Sequence, residues 1–536
     1  VSRDITDGAA HDVCIDDHGL AAIDILLHAG RVVEAAELVE LAFLEGTLSG
    51  TTGAQLRLKL ASALLLNGQA AEALGHAEVI LAESGLDDEI YRAAQLSRLL
   101  ALMAHDEFAA TREPAVAILA ATPSAREDES LAGALTTMGS LAWTEGRVSD
   151  SILLLGAAVT RARRGRFADR AMHPRQSLAA LLAAIGEFDE AEALLTEDLA
   201  DIRLGDDRGW AVGVAVRRSR LHLGAGRIAQ AVADANAALA LAEEMGAGLF
   251  VPLAQTTLAL AALHKGDLEA AMAHLERCVA EAPSSKGGFA SFLGAWIQAR
   301  VSYAADGPGV AVKSLAGVFD NLPANKRLLL EEPAVAAWMV RTALAAGDQR
   351  RAAAVADAAA QLATTNGEFP SVVAIASHAR GLVDKDAAAL LAAFSDHGHP
   401  WTRASAAEDA SAVLVAEGQT MPGRNLLGSA IALYEHAGAD HDAQRARRRL
   451  RQLRPPTGPR TARRGASDWS SLTEAERRVA ALVAQGVTND QIGERMYLSR
   501  PTVDFHLRQI FGKLALETRE QLVRLTRQHP PSGRDE

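Results

Sequence analysis

The chain has only two cysteines in 536 residues, Cys14 and Cys278, and they lie far apart. That scarcity argues against a disulfide framework or a cysteine metal site, and it fits a reducing cytoplasm. Apolar stretches are interrupted by Gly, Arg or Glu well before about 18 residues, so no membrane span is expected. Residues 1–17 are polar and acidic, without a basic segment leading into an apolar run, so no signal peptide is read there. No Gly-x-x-x-x-Gly-Lys-Ser/Thr occurs, and the one Gly-Lys pair is Gly512-Lys513. Catalytic Ser, Cys or paired-carboxylate motifs do not emerge. Cys14, Asp16, Asp17 and His18 lack a second ligand cluster and read as a solvated acidic stretch. Gly224-Ala225-Gly226 follows no strand, so it is no phosphate loop. His397 and His399 flank Gly398 before Pro400, a loop pattern that predicts exposure. The expectation is therefore a cytoplasmic protein that is not an enzyme and needs no metal or cofactor.

A chain of this length is too long for one small core, so several domains or a repeat array are expected. Residues 1–18 show no periodicity and read as a loose lead-in. The sequence then becomes Ala- and Leu-rich with a recurring turn mark at Gly30, Gly68, Asp106, Gly146, Gly186, Gly226, Gly266, Gly307 and Gly347, spaced 38, 38, 40, 40, 40, 40, 41 and 40 residues apart. Five residues after the marks stand Ala35, Ala73, Thr111, Ser151, Ala191, Ala231, Ala271, the exceptional Val312, and Ala352. Helical apolar patterns flank each mark. Helix, turn and helix repeating every 40 or so residues predict an all-α solenoid of helical hairpins over residues 19–453. The small fifth residue lets the second helix lie close to its neighbour. Beyond Gly347 the beat loosens through Asp384 and Gly418, and Gly438 opens a last, irregular repeat expected to cap the array.

Near the C-terminus, Thr473 precedes Glu476, Thr488 precedes Gln491 and Thr518 precedes Gln521, each by three residues. Each pair is a capping box at a helix start. Ser499 is placed to cap a further helix, with Pro501 in its first turn. Apolar residues follow at helical spacing: Val479, Leu482 and Val483; Ile492 and Met496; Val503, Leu507, Ile510 and Leu514; Leu522 and Leu525. Gly486 allows a sharp turn after the first helix. Four short helices around one small core predict a helix-turn-helix module over residues 469–529, followed by a polar tail at 530–536.

Leu472-Thr473-Glu474-Ala475-Glu476, Gly486-Val487-Thr488-Asn489, residues 492–495, Leu498-Ser499-Arg500-Pro501-Thr502-Val503 and residues 511–514 resemble the LuxR-type DNA-binding domain. Gly493, Ala515 and Gly512 depart from the family's usual residues. The preceding repeats resemble tetratricopeptide-like arrays, with a longer unit and a weak aromatic signature. Similar long repeats precede the same domain in the large ATP-binding LuxR regulators of the maltose-regulator type. Without a P-loop, the nucleotide-binding domain of that family is not carried over. The chain is then either a shorter relative or one that begins downstream of a nucleotide-binding part.

On the third helix of the module, Val503, Leu507, Ile510 and Leu514 form a buried stripe. The opposite side carries Asp504, Phe505, Arg508, Gln509 and Gly512, with Thr502 and Lys513 at its flank. Such a helix fits the major groove, where Arg grips guanine, a carboxylate accepts from cytosine and an apolar ring meets a thymine methyl. The resemblance places base contacts on Asp504, Phe505 and Arg508. Thr488, Asn489, Arg500, Thr502 and Lys513 stand at helix starts or flanks and suit phosphate contacts. The alternative for Asp504 and Arg508, four apart, is an exposed helix pair. The resemblance also implies a homodimer on DNA through the last helix, with Val523, Leu525 and Thr526 as its contacts. Contact with the transcription machinery is a further expectation.

Charge divides unevenly. Residues 444–536 carry 19 Lys and Arg against 10 Asp and Glu, a net of +9, so the remainder holds −22 of the total −13. Much of the excess is the run Arg445, Arg447, Arg448, Arg449, Arg451 and Arg454, either a DNA-binding supplement or a solvated helix face. Residues 454–468, rich in Pro, Gly and Arg, read as a flexible linker whose ends lie roughly 20 Å apart. These charges suggest that the acidic body restrains the basic end until an effector binds. Trp296 and Trp338, 42 residues apart, fall on successive first helices as a candidate effector surface, though a two-residue slip in register predicts indoles turned apart, filling gaps between helices. A transcriptional regulator is the first reading, with a repeat scaffold or a fragment of a nucleotide-dependent regulator as alternatives.

Overall fold

The structure, a computed structural model, describes residues 22–23, 25–26, 31–44, 50–121, 129–162, 173–204, 208–281, 289–322, 326–453, 469, 472–496, 500–514, 516 and 518–529. The expectations for the lead-in and its Cys14 cluster, Gly30, Ser499, the linker and the tail fall outside these residues. Among the described residues there is helix and no strand. No described helix is long and apolar enough to cross a membrane. The chain divides into two compact units, residues 1–453 and 454–536.

The first unit is a solenoid of helical hairpins. Its turn marks adopt the left-handed backbone that the alternation requires: φ is +90° at Gly68, +59° at Asp106, +97° at Gly186 and +78° at Gly347. Only glycine reaches such angles without a Cβ penalty, and aspartate tolerates them better than most residues. After the marks, Ala35, Ala73, Thr111, Ser151, Ala191, Ala231, Ala271 and Ala352 are completely buried, with Val312 at 5% exposure. Ser151 turns its hydroxyl to the Gly139 carbonyl at 2.7 Å, so a small polar residue also fits the close helix approach. Past Gly347 the left-handed turn falls on Lys385 rather than Asp384, then on Gly418 and Gly438. The last helix, Asp440–Gln452, buries Asp442, Ala443 and Ala446 and exposes Arg447, Arg448 and Arg451, as the end of an array requires.

Coiling brings distant repeats together. Asn366 inserts beneath the Gly146 turn, donating to the Gly146 carbonyl at 2.7 Å and accepting from the Val148 amide at 2.9 Å. Trp143 Nε1 donates to Glu331 at 3.0 Å. A Cβ on Gly186 would sit 3.0 Å from the Gly398 Cα. This approach of two backbones corrects the expected exposure of the neighbouring histidines, because His397 and His399 are 3% and 8% exposed. His378 joins them, with Nδ1 3.2 Å from His397 Nε2 and Nε2 2.9 Å from Asp409.

Candidate nucleic-acid interface

In the second unit the helices are Glu474–Ala484, Asn489–Met496, Arg500–Leu514 and Arg519–Gln528. Their starts are fixed locally. Thr473 and Glu476 exchange bonds of 2.7 and 3.3 Å, Thr488 and Gln491 of 3.1 and 3.4 Å, and Thr518 and Gln521 of 3.2 and 3.3 Å. Gly486 takes φ +82° between the first two helices. Val479, Val483, Ile492, Val503, Leu507, Ile510, Leu514 and Leu522 make one buried core.

Burying Val503, Leu507, Ile510 and Leu514 turns the other side of Arg500–Leu514 outward. Phe505 is 53% exposed there, an aromatic ring left in water on an otherwise polar surface. Arg508 and Gln509 are exposed beside it, and Asp504 and Thr502 are half-buried. The alternative, a side-chain pair between Asp504 and Arg508, is not the arrangement found. Asp504 Oδ1 accepts from Asn489 Nδ2 at 2.7 Å, while Arg508 Nε donates to the Asp504 backbone carbonyl at 3.3 Å.

Of the expected phosphate contacts, Asn489 and Lys513 are held most firmly within the module. Asn489 gives its amide to Asp504 and accepts at Oδ1 from Arg519 Nη1 at 2.7 Å, while Arg519 Nη2 holds the Val487 carbonyl at 2.7 Å. Arg519, which no motif or periodicity singles out, thus ties the last helix to the turn at residues 487–489. Lys513 Nζ donates to both oxygens of Glu476 at 2.7 and 2.5 Å. Burial raises the Glu476 carboxyl, but Lys513 and the Thr473 donors outweigh it and hold it below its ordinary value. Arg500 is largely exposed and lies 3.3 Å from Asp490, an arrangement that water screens readily. The Thr488 hydroxyl accepts from the Gln491 amide at 3.4 Å in the helix cap, which leaves its own O–H as a donor.

Of the expected dimer contacts, Thr526 is only 4% exposed and bonds the Leu522 carbonyl at 2.8 Å, so it is corrected to a core position. Val523 and Leu525 remain half-buried on the module's surface. Trp469 stacks on His529 with ring centroids 5.2 Å apart, tying the module's two ends, a contact with no periodic signal in the sequence.

Part of the arginine run belongs to the body. Arg445 pairs with Glu408 and Asp442, Arg449 with Glu408 at 2.9 Å, and Arg447 with Glu435. Counted by compact unit, residues 454–536 hold 14 basic and 10 acidic residues, a net of +4 rather than +9.

Trp296 and Trp338 meet instead of diverging. Their rings are 6.5 Å apart and nearly perpendicular, a contact between two helices that the register of each alone does not fix. Trp296 is 1% exposed and fills a gap in the core, and Trp338 is half-buried against it.

Residues 470–526 match the model of the bacterial regulatory proteins of the luxR family. An HTH-type transcriptional regulator of Mycobacterium tuberculosis (strain H37Rv) is 44% identical over 61 residues, 11% of this chain and 7% of that protein. The DNA-binding transcriptional activator DevR/DosR of the same strain is 38% identical over 66 residues, 12% of this chain and 30% of its own length. Transcriptional regulatory protein SgaR of Hyphomicrobium methylovorum is 44% identical over 55 residues, covering 10% and 26%. The matched segment thus spans less than a third of each of these relatives. The crystal structure of a Rap protein complexed with competence and sporulation factor aligns with 66% of this chain and 98% of its own, at TM-score 0.45 and 12% identity.

Proposed function

We propose that this LuxR-type head makes the chain a sequence-specific, DNA-binding transcriptional regulator whose helical-repeat body senses an effector or binds a partner. The exposed Phe505 beside Arg508 on the outward face of Arg500–Leu514 carries the reading. An exposed aromatic ring on a small, otherwise well-packed module has a physical use on a base edge, where it excludes water from a thymine methyl. Arg508 supplies the guanine fork. Asp504, held by Asn489, presents its carboxylate to a cytosine amine. Arg500, Thr502 and Thr488 face the backbone phosphates, and Lys513 adds charge without a free ammonium. Val523 and Leu525 form the contact of a homodimer on DNA, which places two half-sites about one helical turn apart.

Selection of bound sites from random duplex DNA by the full chain tests this. A recurring motif with paired half-sites, protected together in a footprint, is expected. Absence of any enriched sequence would leave the head as a protein-binding module on a repeat scaffold.

A further inference from the structure

A cavity of about 130 Å³ lies inside the helical array. It is walled by the first helices of successive hairpins, among them Ala211–Gly224, Val251–Lys265 and Phe289–Asp306, bordered by the start of Pro400–Ala416, and partly open to solvent. Its charged lining is lopsided: Arg217, Arg220, Arg300 and Arg327 against Glu331 and Glu332. Two arginines are matched, since Arg220 pairs with Glu332 and Arg327 Nε lies 2.5 Å from Glu331. The other two have no ion-pair partner within 4.0 Å among the described residues, although Glu331 and Asp198 act on Arg217, and Asp442 and Glu332 on Arg300, from farther away. Arg217 Nε has the neutral Gln176 Oε1 at 3.3 Å, and the Arg300 guanidinium sits between indoles, 5.1 Å from Trp296 and 5.6 Å from Trp401.

Asp442, whose field reaches Arg300, is already occupied by Arg445 and by Trp401 Nε1 at 2.7 Å. Buried donors at the same wall also lack acceptors among the described residues: Arg220 Nη1 and, on a residue 1% exposed, Trp296 Nε1. The nearby histidines add no charge, because burial lowers His264 and takes His399 down to about 4. Burial likewise lowers Arg217 and Arg300, yet a guanidinium stays protonated in proteins. Arg217 and Arg300 are each half-buried in a partly open cleft of mixed polar and apolar lining, so a ligand that displaces the water there gains from both cations.

We infer that this cavity binds a small organic dianion, a dicarboxylate or a phosphate monoester, gripped by Arg217 and Arg300 and accepting from Arg220 Nη1 and Trp296 Nε1. The size fits, because an apolar cavity of about 150 Å³ accommodates a benzene-sized molecule. Apolar walls from Leu221, Leu260 and the Trp296 and Trp401 rings favour an organic skeleton over a bare inorganic ion. Guanidinium forks match carboxylate and phosphate oxygens two at a time, which gives orientation as well as charge. This inference deepens the effector reading of the body, and it does not depend on what the head binds.

The test uses the full 536-residue chain with succinate, phthalate and glycerol 3-phosphate as probes, and with inorganic phosphate and neutral succinamide for comparison. Calorimetry and tryptophan fluorescence read binding. At least one dianion should bind saturably and shift the emission, with inorganic phosphate weaker and succinamide silent. Arg300→Met and Arg217→Met should each weaken binding tenfold or more. Without ligand, Arg300→Met should melt no lower than the parent chain, since it removes a half-buried guanidinium that has no carboxylate partner among the described residues and leaves an apolar side chain between the indoles. Silence from all three dianions would overturn the assignment, and so would unaltered binding by both variants. A lower melting temperature for ligand-free Arg300→Met with binding unchanged would assign that arginine to packing and also overturn it. Dianion binding that leaves DNA affinity unchanged would sustain the cavity assignment while refuting its role as an effector site.

Discussion

Lys513 Nζ donates to both carboxylate oxygens of Glu476, the same side chain that closes the capping box on Thr473. One carboxylate therefore ties the start of the first helix to the end of the third. Glu476 is 5% exposed, so removing its cation leaves a buried charge poorly compensated. Lys513→Met should destabilise the head by about 1–3 kcal/mol, read as earlier melting or faster amide exchange of residues 472–529 in the full chain. A loss of DNA affinity with unchanged head stability would return Lys513 to a simple phosphate contact.

The same pair sets a pH dependence. Burial tends to raise Glu476, but Lys513 and Thr473 win and depress it below 4.5. A depressed folded-state value means stability that is fully present above the unfolded value and is lost as pH falls through the folded one. The head should loosen below about pH 4.5, and Glu476→Gln should flatten that fall while lowering stability at neutral pH. A stability profile of the head with no acid limb attributable to Glu476 would contradict this.

Asn489 offers a second test, because its amide holds Asp504 on one side and receives Arg519 on the other. Asn489→Ala removes two hydrogen bonds, about 1 kcal/mol each, and frees the Asp504 carboxylate. Discrimination at one base position should relax by more than overall affinity falls. Binding assays on single-base variants of the selected site check this, and uniform weakening across them would make Asn489 a backbone contact only.

Much of this was legible in the sequence, and the reason is local chemistry. Capping boxes at Thr473, Thr488 and Thr518, the turn at Gly486 and the stripe from Val503 to Leu514 are decided by neighbours within a few residues. The solenoid's beat was readable because each turn needs φ above zero and each following position needs a small side chain. What escaped depends on closure over long distances. The burial of His397 and His399 goes with the approach of Gly186 to Gly398, and the Trp296–Trp338 contact joins two helices, which no single-helix wheel contains. The charge imbalance at Arg217 and Arg300 is equally invisible in a chain with acidic residues throughout.

Arg508 and Arg500 should separate base reading from backbone attraction. Arg508 is exposed on the outward face, while Arg500 lies at the helix start beside Asp490. Arg508→Ala should cost about 1–3 kcal/mol at the selected site and little on random DNA. Arg500→Ala should weaken both alike and reduce the salt slope by about one. Equal losses on specific and random DNA for Arg508→Ala would refute its assignment to a base.

Asn366 tests whether the coiling of the array stabilises it. The side chain is completely buried. Its Nδ2 donates to the Gly146 carbonyl at 2.7 Å and to Leu362 at 2.8 Å, and its Oδ1 accepts from Val148 at 2.9 Å. A Cβ on Gly146 would come within 2.7 Å of Leu362 Cδ1, so the turn already lies against the helix that presents Asn366. Asn366→Leu keeps similar bulk but leaves the Val148 amide and the Gly146 carbonyl buried without a partner. Each orphaned group costs about 1–3 kcal/mol, so a loss of roughly 3 kcal/mol is expected. Asn366→Asp keeps an acceptor for Val148 but loses the donor and buries a charge, so it should fare no better. In a solenoid stabilised by adjacent repeats alone, both substitutions would have a local effect and urea unfolding would broaden only slightly. With the coils joined through Asn366, unfolding should shift as a whole and proteolysis should open repeats on both sides of the contact, near residue 146 and near residue 366. Cleavage confined to one of the two would show that the coils touch without supporting each other.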